Sequence, residues 1–180
     1  MSNRNLTNLN KKTRFSTLIE ENLNNLYHIA YARCKDRELA SDLVQDTCLK
    51  AYNSYMSKSE IENPKAWLIR ILINAHIDHT RKKQLALIDI EGFDFPKADD
   101  TSKSAEAKAF YKDLDKAMNE LDEDQRIIVY LSDVKEYSYK EISEILEIPI
   151  GTVMSRLHRA RQYLRSILTK IGYSSKGVNV

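Results

Sequence analysis

Residues 137–161 constrain this chain more than any other stretch, because they read as two short helices joined by a tight turn. Ser138 and Glu141 have capping-box spacing, so each can satisfy a free backbone N–H at the start of the first helix. Pro149 ends that helix, since it has no N–H and its ring clashes with the preceding turn. Gly151 is expected to leave room where the second helix turns away. Val153, Leu157, Ala160 and Leu164 then follow at spacings of four, three and four, the stripe of a buried helical face. Thr152, Ser155, Arg156 and Arg159 share the opposite face, flanked by His158, Arg161 and Arg165. From Ile150 to Lys170 there are five Lys/Arg residues and no acid. Arginines on a helix usually form a solvated face. Here the capped first helix, the Pro-containing turn and the short polar neighbours point to a helix-turn-helix. Its second helix is expected to contact DNA through Thr152, Ser155, Arg156, Arg159 and Arg161.

The remaining chain also reads as helix. Four glycines and three prolines in 180 residues are too few for the turns that strands need. Helical patterns run from Phe15 to Lys35, from Arg37 to Tyr55, and from Lys65 to about Lys83, where Asn63 is a good N-cap and Pro64 occupies the favoured first position. Residues 1–14 are polar and basic and are expected to form a loose arm. Residues 86–106 interleave Asp89, Glu91, Asp94, Asp99 and Asp100 with Gly, Pro, Ser and Thr, and are expected to be an extended acidic linker. Helical periodicity resumes and lasts to about Ile171, and residues 172–180 are expected to be a frayed tail. The expected fold is all-α: two small helical domains, residues 15–85 and 107–171, on an acidic tether.

Net charge is only +2, yet Glu120 to Glu147 carries nine acids and the basic helix follows directly. Such asymmetry suggests DNA at the basic helices and a protein partner at the acidic faces. Cys34 and Cys48 lack Cys-x-x-Cys spacing and read as reduced thiols. His76, Asp78 and His79 cannot converge on one helical face, so no metal, cofactor or enzymatic activity is expected. No heptad or apolar patch offers a dimerisation face for a free-standing regulator. No signal peptide or membrane span is visible, and a cytoplasmic protein is expected.

The segments Asp42 to Tyr52 and Asn63 to Asp78 resemble domain 2 of bacterial sigma factors, and the C-terminal half resembles their domain 4. The order of the two, with an acidic linker between, is similar to the extracytoplasmic-function group. On this resemblance Asp42, Gln45, Asp46 and Lys50, which share a polar stripe, dock on the clamp of the largest subunit of core RNA polymerase. Trp67, Asn74, Arg81, Lys82 and Lys83 read and open the −10 promoter element, whose melted non-template strand offers a base to the loop 56–63. Taken alone, Trp67 is more often a core residue, and the polar stripe an ordinary solvated face. The helix from Gly151 reads duplex DNA at the −35 element. Lys65 to Leu68, Arg81 to Gln84 and Gly151 to Arg159 further resemble the thiol-oxidative-stress branch, in which an anti-sigma protein holds the factor inactive.

Overall fold

The computed structural model describes residues 2–57, 61–85 and 105–173, and their side chains apart from 2–8, 82–85 and 105–108. Among the described residues there are helices and no strands. The chain divides into two compact units, the first built on the N-terminal three helices and the second mainly on the helices after the linker.

In the first unit α1 (Ser2–Cys34), α2 (Arg37–Ser57) and α3 (Pro64–Leu85) each pack against the other two. The buried stripe of α1 is Phe15, Leu26, Ile29, Ala30 and Arg33; α2 adds Ala40, Leu43, Val44, Thr47 and Ala51. From α3 come Leu68, Ile69, Leu72 and Ile73. A two-residue turn joins α1 to α2. Lys35 takes a left-handed conformation at φ 57°, and the Asp36 carboxylate accepts from the N–H groups of Glu38 and Leu39 at 2.9 and 3.0 Å. That carboxylate closes the exposed N–H groups that every helix start leaves over. Asn63 caps α3 as expected, its Oδ1 accepting from the Ala66 N–H at 3.1 Å.

The loose arm expected for residues 1–14 is instead the first part of α1, which runs unbroken from Ser2. No Gly or Pro interrupts residues 1–34, and a tertiary contact holds the stretch. Lys11 donates to the carbonyl of Met56 at the end of α2 at 3.1 Å and sits 5.7 Å from the Tyr55 ring centre. A cation at the last carbonyls of a helix meets the negative end of its dipole.

The second unit holds α4 (Ala105–Glu120), α5 (Glu123–Val129), α7 (Ile150–Ile171) and the first part of α6 (Tyr139–Leu146). The linker 86–106 lies outside the described residues up to 104; its last two residues already belong to α4. Asp122 caps α5 by accepting from Gln125 N–H at 2.7 Å. A π-helical turn, Tyr130–Val134, extends α5, with Lys135 N–H reaching the Tyr130 carbonyl at 3.0 Å. Both α4 and α5 pack on α7. Val153, Leu157, Ala160 and Leu164 are buried as their spacing predicts, and Leu168 continues the stripe by another turn. The expected tail does not fray at once: after Gly172 (φ 108°), Tyr173 packs edge-on against Phe110 and donates to Asp113 at 3.1 Å. The rest of the tail, 174–180, lies outside the described residues.

Candidate nucleic-acid interface

The helix-turn-helix begins with the predicted capping box. Ser138 N–H donates to Glu141 Oε2 at 2.9 Å, and Glu141 N–H donates to Ser138 Oγ at 3.3 Å. These bonds favour the ionised carboxylate and lower the Glu141 pKa. The turn itself is made differently from the expectation. The left-handed residue is Glu147, at φ 55°, not Gly151, which lies inside the first turn of α7 with open space where a Cβ would sit. Ser143 locks the turn: its hydroxyl donates to the Ile148 carbonyl at 2.6 Å, and its own carbonyl accepts from the Ile148 N–H at 3.2 Å. Pro149 then starts α7, its carbonyl accepting from Thr152 and Val153.

With one stripe of α7 in the core, the exposed residues along its first turns include Gly151, Met154, Ser155, His158, Arg159 and Gln162. Ser155 and Arg159 stand where the sequence predicts, with Thr152 half-buried beside them. Their side chains also bond back along the helix, Ser155 Oγ to the Thr152 carbonyl at 3.2 Å and Arg159 Nε to the Ser155 carbonyl at 3.4 Å. Two members of the predicted set are placed otherwise. Arg156 is drawn to α5, its Nη1 2.7 Å from Asp124 Oδ2. Arg161 turns to the π-helical segment, with Nε donating to Asp133 Oδ2 at 3.2 Å, Nη2 to Asp133 Oδ1, and Nη2 also to Ser132 Oγ at 3.4 Å. The Asp133 hydrogen bonds raise the Arg161 pKa still further. Arg161 lies nine residues past Thr152, half a turn out of phase with it, and meets the π-helical segment instead of the open side.

Met154 and His158 are exposed on the open face, four residues apart, and sequence reasoning had not placed them in the contact set. The signal was available, since both lie one residue beyond the buried Val153 and Leu157.

In the first unit Asp42, Gln45, Asp46 and Lys50 are all exposed along α2, as predicted. Leu49 is 66% exposed among them. Lys50 pairs with Asp78 of α3 at 3.6 Å, and Asp78 also pairs with Arg81 at 3.2 Å, so one carboxylate holds basic groups from two helices. Asn74 and Arg81 are exposed on α3; Lys82 and Lys83 are in the same helix, with side chains outside the described set. Trp67 is a correction. It is 8% exposed, with its ring 6.3 Å from Tyr55, and a stacking platform needs an open ring face. Of the loop 56–63, residues 58–60 lie outside the described residues.

His76 is buried and accepts from Arg33 Nε at 2.9 Å through its Nδ1. Burial first, and the Arg33 charge second, bring its pKa down to about 4. Among the described residues no group of three or more His, Cys, Asp or Glu is placed to hold a metal ion, and no helix is long and apolar enough to cross a membrane.

Residues 18–86 match the family description "Sigma-70 region 2", and residues 111–164 match "Sigma-70, region 4". The chain is 31% identical to the RNA polymerase sigma factor SigV of Bacillus subtilis, over 88% of this chain and 93% of that one. It is 32% identical to the ECF RNA polymerase sigma factor SigM of the same organism, over 82% of this chain and 91% of that one. Its fold matches the sigma factor RpoE of Bartonella quintana, solved in complex with the anti-sigma factor NepR, with a TM-score of 0.73 and 31% identity over 87% of this chain and 97% of that one. Both regions occur here in order, each on its own helical unit, and the chain belongs to the sigma-70 family as an RNA polymerase sigma factor of the extracytoplasmic-function type.

Proposed function

We propose that α7 enters the major groove of the duplex −35 element, with Ser155, His158 and Arg159 towards base edges and Thr152 beside them. The observation that supports this most is the open face of α7: it is acid-free, polar and basic, while the other face is locked into a core. A helix fixed on one side presents its outer side chains to the groove without further ordering. Arg156 and Arg161 are held by carboxylates in the free protein and are secondary to Arg159 in this reading.

Asn74 and Arg81 of α3, with Lys82 and Lys83, are assigned to the −10 element, the cations on phosphates and Asn74 on a base edge. Asp42, Gln45, Asp46 and Lys50 are assigned to the polymerase clamp, where charges on the rim steer association and set register. The exposed Leu49 supplies an apolar contact in the middle of that stripe. An anti-sigma partner is assigned by likeness, because the RpoE relative was solved bound to one.

Run-off transcription with core RNA polymerase tests the assignment, using a pool of promoter fragments from the genome that encodes the protein. Discrete transcripts that need this protein are expected, and their aligned start regions identify both elements. Arg159→Ala is expected to lose about 1–3 kcal/mol of promoter binding and to relax preference at one −35 position. Undiminished transcription by that variant from a −35-dependent promoter would show that another face of α7 meets DNA.

A further inference from the structure

We propose that Asp124 restrains sequence-independent DNA binding by holding Arg156 of α7 away from backbone phosphates. This rests on the reading of α7 as the helix that meets duplex DNA. The pair joins Arg156 Nη1 to Asp124 Oδ2 at 2.7 Å, and the side chains are 35% and 52% exposed. Arg156 is four residues past Thr152 and three before Arg159, so it sits on the edge of the open face that borders α5. The first turn of α5 supplies Glu123 as well as Asp124, and places carboxylates beside the one basic helix of this unit.

The comparison with Arg161 separates the two pairs. Asp133 and Arg161 are 18% and 31% exposed, and Arg161 donates to Ser132 as well. That pair joins α7 to the π-helical turn and serves the fold. Asp124, at 52%, is far more open to solvent than Asp133, and an ion pair with one solvated partner can exchange that anion for another. Without Asp124 the anion that takes its place on Arg156 is a DNA phosphate.

Sequence-independent affinity grows with the number of phosphates neutralised, and its salt dependence reports that number. Removing one contact lowers binding to the large excess of wrong sites against which a promoter competes. Asp124 therefore lowers the sequence-independent part of DNA affinity without touching a base.

The test uses the full chain and a fluorescently labelled duplex of arbitrary sequence, titrated at several salt concentrations. Asp124→Asn keeps the side-chain shape at an exposed position and removes the charge; helical content and melting temperature verify its fold. The variant is expected to bind several-fold more tightly at low salt. Its slope of log K against log salt should be steeper by about 0.9, the increment for one phosphate, equivalent to roughly threefold more affinity lost between about 50 and 200 mM salt. In an Arg156→Ala background the same substitution should leave the slope unchanged. An unaltered slope, weaker binding by Asp124→Asn, or a gain that survives Arg156→Ala each overturns the proposal. Arg159→Ala distinguishes the underlying reading: if it does not weaken duplex binding, the placement of α7 fails. If it does weaken binding while Asp124→Asn changes nothing, only the restraint fails.

Discussion

At the residue scale, buried polar groups show how closely this small fold is balanced. His76 stays neutral inside the first unit because burial penalises its charged form, and because a proton on the Nδ1 that accepts from Arg33 would set two cations against each other. Its pKa is lowered from 6.5 to about 4, so the unfolded chain binds a proton in that window and the folded chain does not. Stability from this residue is therefore complete above pH 6.5 and is lost as pH falls towards about 4, by up to roughly 3 kcal/mol. Urea melts of the chain across this range should show the decline. His76→Gln, which keeps an acceptor but cannot charge, should flatten it. A decline of equal steepness in the variant would assign it to other groups.

At the element scale, the turn between α6 and α7 carries a strained residue. Glu147 adopts φ 55° with a side chain, where glycine alone is unstrained, and the Ser143 bonds to Ile148 hold it there. Glu147→Gly is expected to raise the midpoint of thermal unfolding or leave it unchanged, because relief of strain opposes the extra entropy of an unfolded glycine. Glu147→Val should lower stability by about 1–2 kcal/mol, as β-branching is poorly tolerated at positive φ. Equal stability for the glycine and valine variants would mean that the turn relaxes into another conformation. The π-helical turn has a comparable part: it directs Ser132 and Asp133 together at Arg161, so a local irregularity ties this segment to α7.

At the scale of the whole molecule, the two units have separate cores. Leu26, Ile29, Leu68, Ile69 and Leu72 fill the first; Ile127, Ile128, Leu131, Leu157 and Leu164 lie in the second. Each unit is small for a single hydrophobic core, and modest stability follows from its ratio of surface to volume. Fragments 1–85 and 105–180 are each expected to be helical and to melt cooperatively by circular dichroism. A fragment that gains helix only when its partner is added would show that its core is incomplete alone.

Periodicity and capping chemistry made the helices, the two-domain plan, the capping box and the buried stripe of α7 legible in the sequence, because these depend on neighbours three or four residues apart. Other features depend on residues far apart in the chain. The N-terminal stretch is helical where a loose arm was expected, and Lys11 reaches Met56 across 45 residues. Trp67 taken alone favoured the core and the family resemblance favoured DNA, and packing beside Tyr55 buries it. The partners of Arg156 and Arg161 were not legible along α7, since only packing on α5 and its π-helical extension brings Asp124 and Asp133 to them, 32 and 28 residues away. Local spacing decides which face a side chain occupies; what meets that face is decided by folding, because a charge acts on whatever lies within a few ångströms, however distant in the chain.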